Sequence, residues 1–132
     1  MASITPTLTL VSNSSTHATP GPLSVALSLS ATDSLTVDGV TTCDIVSATT
    51  THSANKILDA STQTLPAYVY IKNTGDGTVY LCIGDADTVS NQVMEIGTLE
   101  FAFFPWAAEV DYYLESAAGT ETVEVWTFAQ GA

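Results

Sequence analysis

The sequence predicts an all-β protein, with a single antiparallel β-sandwich or jelly-roll-like domain and an extended N-terminal arm. Apolar and small polar residues alternate along residues 23–30, which is the period of a half-buried strand. Further β-rich segments follow about every 8–12 residues with turn residues between them, and none has a helical period. A chain of 132 residues is long enough for one domain with its own core.

The N-terminal arm is predicted over residues 1–22. This segment is rich in Ser and Thr and contains three of the five prolines. Its scattered apolar residues are the arm's predicted contacts with a partner: Ile4, Leu8, Leu10 and Val11. The sandwich domain is predicted over residues 23–132.

The first half of the domain is predicted to begin with the alternating segment. Residues 33–37 and 41–46 continue as strands on either side of a turn at Asp38-Gly39. Residues 47–55 are small and polar and are predicted to form a loop.

The second half is denser in strand-forming residues. Residues 67–72 and 78–83 flank a short loop of Asn, Thr, Gly and Asp, which predicts a β-hairpin. Turn residues then separate four more predicted strands, at 92–96, 99–104, 110–115 and 122–128.

The charge balance argues against nucleic acid and membranes as partners. The chain has 14 acidic residues and a net charge of −12, and its only basic side chains besides histidine are Lys56 and Lys72. Phosphate groups and anionic lipids require a basic surface, which these residues do not supply. The N-terminus lacks a signal-peptide pattern, and no apolar run approaches the roughly 20 residues of a membrane span. We therefore expect a soluble protein made in a cytoplasm.

No residue pattern indicates catalysis. His17 and His52 lie in polar segments and are interpreted as surface residues, and no nucleophile-elbow, zinc or phosphate-loop motif is present. The sequence predicts no enzyme activity and no cofactor. Cys43 and Cys82 lie in strand-like segments and are interpreted as buried free thiols. A disulfide between them is the alternative, and it requires that the two strands be neighbours.

Three aspartates are calcium candidates because their carboxylates are hard oxygen ligands in turn sequences: Asp76, Asp85 and Asp87. Their spacing does not match an EF-hand. Aspartate is also common in turns because its side chain bonds the nearby backbone, and that interpretation is favoured here.

Aromatic residues crowd the last third of the chain. Phe103 and Phe104 are adjacent, as are Tyr112 and Tyr113, so the members of each pair point to opposite faces of a strand. One member of each pair is expected on a second surface, either exposed or covered by a partner. We predict that Phe104, Tyr113 and Trp106 contact a partner.

The segment 56–61, the sequence YVYIKNT at 68–74 and the aromatic segment 94–106 resemble small β-rich virion structural proteins of tailed bacteriophages, marine ones especially. The resemblance covers roughly the last 75 of the 132 residues and includes a closing hairpin. It is a pattern of strands and turns without a catalytic signature.

The resemblance implies a capsid decoration (cement) protein on the outer capsid surface, made in the host cytoplasm. Such a protein binds between major capsid subunits and contacts identical copies of itself, and a homotrimer would suit a local three-fold position. The alternatives are a tail or fibre component and a carbohydrate-binding adhesive module, in which Trp106 or Tyr113 would stack on sugar rings. An intracellular adaptor unrelated to virions also remains open.

Overall fold

The computed structural model describes residues 2–5, 7–11, 28–32, 35–63, 65–84 and 91–130. In this part of the chain two antiparallel sheets form a β-sandwich, which confirms the predicted fold class. The first sheet has five strands, in the spatial order β1 (Ala2–Ile4), β4 (Leu35–Thr49), β11 (Thr120–Gln130), β6 (Ala67–Asn73) and β9 (Phe101–Trp106). The second has four, in the order β5 (Lys56–Leu58), β10 (Tyr112–Ser116), β7 (Val79–Ile83) and β8 (Gln92–Ile96).

Two smaller elements complete the described structure. β2 (Thr7–Val11) and β3 (Ser28–Thr32) pair with each other in a separate two-stranded sheet. A single 3₁₀ turn at His52–Ala54 connects β4 to β5.

The core lies between the two large sheets and follows from the period-two alternation in the sequence. Along β6 the residues alternate strictly between buried and half-buried. Complete burial of a side chain such as Ile71 or Leu114 contributes roughly 1.5–3 kcal/mol. The buried apolar cluster consists of Ala48, Leu58, Ala67, Val69, Ile71, Val79, Leu81, Ile96, Trp106, Leu114, Val123 and Val125.

The predicted hairpin of residues 67–72 and 78–83 is wrong. β6 pairs with β9 and β11, whereas β7 pairs with β8 and β10, so the chain crosses from one sheet to the other between them. The loop is instead fixed to β11, because the backbone N–H groups of Thr74 and Gly75 both donate to the Thr122 carbonyl, at 2.9 and 3.0 Å. Both strands turn one face to the same core, β6 from the five-stranded sheet and β7 from the four-stranded one.

The predicted turn at Asp38-Gly39 is also wrong. β4 runs without interruption through both residues and is paired with β11 along most of its length. Gly39 lies opposite Ala129, and register shifts on either side of this pair accommodate the irregular segment. The predicted loop at 47–55 begins later than expected, since β4 continues to Thr49.

Parts of the predicted arm form strands that pair within the same chain. β1 lies against the beginning of β4, with Ala2 opposite Val37 and Ile4 opposite Leu35. β2 lies against β3. The predicted boundary between residues 22 and 23 falls in the segment 12–27, outside the described residues.

Candidate interaction surface

The outer surface of the five-stranded sheet carries an unusual concentration of aromatic side chains. Val69 and Ile71 of β6 point into the core, so the residues that alternate with them point away from the second sheet. The same alternation on β9 and β11 sends further rings to this outer surface. We call this surface the aromatic face, formed by Tyr68, Tyr70, Phe101, Phe103, Trp126 and Phe128.

Strand pairing places these rings side by side across three adjacent strands. Tyr70 is opposite both Phe103 on β9 and Trp126 on β11, and Tyr68 is opposite Phe128. The Tyr68 and Phe103 rings are stacked, with centroids 6.0 Å apart and planes inclined by 16°. Trp126 and Phe128 stack along β11 at 6.3 Å and 19°. The result is a nearly continuous layer of rings.

The aromatic face is open to solvent at its edge strand. Phe101 is 62 % exposed and Phe103 is 37 % exposed, while the rings on β6 and β11 are half-buried by their neighbours. On β4, Ile45 lies opposite Glu124 and is 77 % exposed, which extends the apolar surface to a fourth strand. Contiguous exposed apolar surface of this kind is typical of protein–protein and ligand-binding sites.

Little charge accompanies these rings. Among the residues that β6, β9 and β11 send to the face, the charged ones are Lys72 and Glu124, which are register partners of opposite sign. Glu124 accepts a hydrogen bond of 2.6 Å from the Trp126 indole N–H. Burial, and then the charge of Glu124, raise the pKa of Tyr70 above its ordinary value of 10.0. The face is therefore close to neutral in a chain of net charge −12.

Two of the three aromatic residues predicted to contact a partner are buried in the fold. Trp106 is 5 % exposed, and its indole N–H donates to the Val110 carbonyl at 2.9 Å. Tyr113 is also 5 % exposed. Phe104 is half-buried and packs against the core, with its ring 6.0 Å from that of Tyr112. The expected exposure of Trp106 and Tyr113 is wrong, because Trp106 belongs to the inward-facing set of β9 and Tyr113 is covered on the outer side of β10.

The apolar residues of the predicted arm lie on β1 and β2. Ile4 pairs with Leu35, and the residues on β2 pair with β3. The backbone pairing is described but the side chains are not, so contact between a partner and Ile4, Leu8, Leu10 or Val11 stays a prediction.

Tyr113 is covered by an ion-pair network that joins β5 to β10. The Lys56 ammonium lies 2.7 Å from a carboxylate oxygen of Asp111, 3.7 Å from one of Asp59 and 5.7 Å from the centre of the Tyr113 ring. The network links the segment after β5 to the start of β10, and we interpret its role as structural.

The same network shifts the ionisation of its members. The hydrogen bond from Lys56, and then the one from the Ala60 backbone N–H, hold the pKa of Asp111 below its ordinary value of 3.8. Hydrogen bonds from Ser61 lower the pKa of Asp59 in the same way. The bond to Asp111 raises the pKa of Lys56 above 10.5.

One of the three calcium candidates lies among the described residues. Asp76 is exposed in the loop between β6 and β7, whereas Asp85 and Asp87 lie outside the described residues. Within the described ranges no three His, Cys, Asp or Glu side chains come together as a metal site. The Cys82 thiol is buried on β7, in the opposite sheet from the β4 strand that carries Cys43.

Comparison with known proteins found no family model, curated protein or solved structure that matches this chain. Within the part of the chain that the structure describes, no helix has the length and apolar character needed to cross a bilayer.

Proposed function

We propose that the protein is a structural component of a virion, which decorates and stabilises a phage capsid by binding between major capsid subunits on the outer surface of the shell. The observation that carries this proposal is the aromatic face, a near-neutral layer of rings on an otherwise acidic protein. The resemblance of residues 56–106 to small β-rich phage proteins supplies the class of partner. Identical copies bound at neighbouring positions are part of the same proposal.

The physical basis is burial of the aromatic face against capsid subunits. Covering a largely exposed ring such as Phe101 contributes up to roughly 1.5–3 kcal/mol. The half-buried rings beside it make the contact surface rigid and define its shape. Because Lys72 and Glu124 offset each other, a partner needs no compensating charge at this surface. The remaining acidic residues keep the outward side of the bound protein highly hydrated.

Capsid stabilisation then follows from mass action. A site made by several capsid subunits exists only in the assembled shell, so bound protein favours the assembled state. Many copies, each bound with modest affinity, together oppose separation of the subunits.

The direct test is cosedimentation with capsids that lack the protein. The double variant Phe101→Thr/Phe103→Thr removes two exposed rings from an edge strand while keeping strand-forming residues. We expect its affinity for capsids to fall at least about 10-fold. The matched control is Val93→Thr, since Val93 is 51 % exposed on β8 of the other sheet. Its affinity should be unchanged.

Two results would count against the proposal. Equal binding of the double variant and the unmodified protein would remove the aromatic face from the interface. Failure of the unmodified protein to bind any capsid of its own phage would reject the decoration function.

A second candidate, a carbohydrate-binding module of a tail or fibre, is favoured by the exposed rings of the face. Phe101 and Phe103 offer accessible aromatic surface of the kind against which sugar rings pack. Glycan-array binding by the isolated protein, lost in Phe101→Thr/Phe103→Thr, would favour this candidate. Capsid binding without glycan binding would favour decoration.

A further inference from the structure

An open groove lies between the edge strands of the two large sheets. Within the described part of the chain, β8 ends the four-stranded sheet, β9 ends the five-stranded sheet, and residues 97–100 join them. The groove has a volume of about 480 Å³ and is lined by Met94, Glu95, Ile96, Leu99, Glu100 and Phe101. We propose that it receives an extended segment of the major capsid protein that carries an apolar side chain and a lysine or arginine. The inference rests on the proposed function and adds to it a second contact and the chemistry of the partner.

The walls of the groove are apolar and accessible. Leu99 is 66 % exposed, and Met94 and Phe101 are exposed as well. Ile96 is buried and belongs to the core cluster, so it joins the groove to the interior of the sandwich. Several large apolar side chains exposed around one groove are typical of a surface that another molecule covers.

The backbone at Leu99 has a conformation that favours glycine. Its φ of 62° lies in the left-handed region, where the Cβ atom of a leucine raises the conformational energy. Backbone strain of this kind is concentrated at functional sites. A glycine would relieve the strain but would remove an apolar side chain from the groove. We therefore assign the Leu99 side chain to binding and not to stability.

Two carboxylates give the groove its charge. Glu95 is exposed on β8, and Glu100 is exposed and accepts a hydrogen bond of 2.7 Å from the Gly97 N–H. Neither of the two lysines of the chain belongs to the lining that the described residues form. Apolar walls beside negative charge suit lysine or arginine, whose long aliphatic stem ends in a cation. The same charge disfavours a second copy of this acidic chain.

The outer edge of β9 suits an extended segment. The Asn73 N–H donates to the Glu100 carbonyl at 3.0 Å, so Glu100 and every second residue after it direct their backbone groups toward β6. Phe101 and Phe103 alternate with these residues and direct their N–H and C=O groups to the edge with which no described strand pairs. Pro105 has no N–H and ends this row of donors. An extended segment can pair with such an edge while its side chains enter neighbouring pockets.

The test is cosedimentation of groove variants with capsids that lack the protein. Leu99→Ala shortens one apolar wall and should weaken binding at least about 5-fold. Leu99→Gly should weaken binding as much, although it relieves the backbone strain, and this separates binding from folding. Glu95→Lys should weaken binding at least about 10-fold, because it brings like charges together.

Two matched controls change the same residue types outside the groove. Leu65→Ala shortens another exposed leucine, just before β6. Glu109→Lys makes the same charge change at an exposed position after β9. Both variants should bind capsids as the unmodified protein does.

A photo-crosslinker at position 99 identifies the segment directly. Leu99→p-benzoylphenylalanine, irradiated on capsids, should be joined to a peptide of the major capsid protein that contains lysine or arginine. Mass spectrometry of the digested product identifies that peptide. A crosslink to another copy of this chain would overturn the proposal.

The outcomes separate this inference from the decoration function. Phe103→Thr alters the aromatic face outside the lining of the groove. If it weakens binding while Leu99→Ala and Glu95→Lys do not, the groove inference is wrong and the decoration function stands. Tighter binding of Glu95→Lys would show that the occupant is not cationic and would also overturn the inference. No binding of the unmodified protein would overturn both proposals.

Discussion

Tyr68 and Phe103 stack across two neighbouring strands on the outer side of the five-stranded sheet, with ring centroids 6.0 Å apart. The exposed face of an antiparallel sheet usually carries polar residues, so this position is unusual for a pair of rings. Cross-strand aromatic pairs stabilise a sheet by roughly 0.2–1 kcal/mol. That contribution is smaller than the roughly 1.5–3 kcal/mol that covering one largely exposed ring can contribute. The comparison supports our proposal that the aromatic face binds a partner.

Trp106 is expected to be a stability residue. Trp106→Ala should lower the free energy of unfolding by about 3–5 kcal/mol, because it removes a buried indole and its hydrogen bond to Val110. Urea denaturation measures the effect. Phe103→Ala, on the aromatic face, is the comparison and should cost about 1 kcal/mol or less. Equal costs for the two variants would contradict the assignment of these residues to opposite faces.

Asn73 is expected to be the most sensitive polar residue of the described core. Asn73→Ala removes three hydrogen bonds of a completely buried side chain, among them those to the Gly77 and Ile96 carbonyls, so we expect a loss of roughly 2–4 kcal/mol. Chemical denaturation tests this value. Thr74→Ala, which deletes one exposed hydroxyl bond to Thr122, should cost about 1 kcal/mol or less. A tolerant Asn73 would mean that the loop is held by its backbone alone.

The Lys56–Asp111 pair predicts part of the acid sensitivity of the protein. The pKa of Asp111 is lower in the fold than its ordinary value of 3.8, so its stabilisation is complete above that pH and is lost as the pH falls below it. Asp111→Asn should therefore lower the Tm at neutral pH and make its decline between about pH 5 and pH 2 less steep. Glu109→Gln, at an exposed position, is the control. Parallel melting curves for the two variants would show that the pair does not contribute.

Replacing Leu99 by glycine is expected to stabilise the protein. Its φ of 62° lies in the left-handed region, and its side chain is 66 % exposed, so the strain is not offset by burial. Leu99→Gly should raise the free energy of unfolding by roughly 0.5–1 kcal/mol, since relief of strain exceeds the entropy cost of glycine. Leu99→Ala keeps the strained conformation and should not be stabilising. A loss of stability in the glycine variant alone would contradict this account.

Most strand positions followed from the alternation of apolar and polar residues. The strand predicted at 92–96 coincides with β8, and those in the last third differ from β9, β10 and β11 by a few residues. The pairing of the strands was harder to predict from the sequence than their positions. Loop composition at 73–77 suggested a hairpin, but composition does not determine whether the next strand joins the same sheet or the opposite one.

The candidate site was less predictable because alternation identifies two faces without saying which one is buried. A shift of one residue exchanges them, and this explains why Trp106 was assigned to the surface while Phe101 on the same strand is the exposed ring. Aromatic residues at alternate positions of β6, β9 and β11 were visible in the sequence, but their alignment into one layer required the strand order. Glu121 packs against Gly75 and Gly77 only through the tertiary fold, which no local pattern contains.

The most direct test of the proposed function is the copy number of this protein in purified virions, measured by quantitative mass spectrometry against the major capsid protein. The decoration function predicts a fixed ratio to the major capsid protein, with copies distributed over the whole shell. A few copies per particle would contradict it and favour a tail or fibre position, and complete absence from the particle would contradict any virion function.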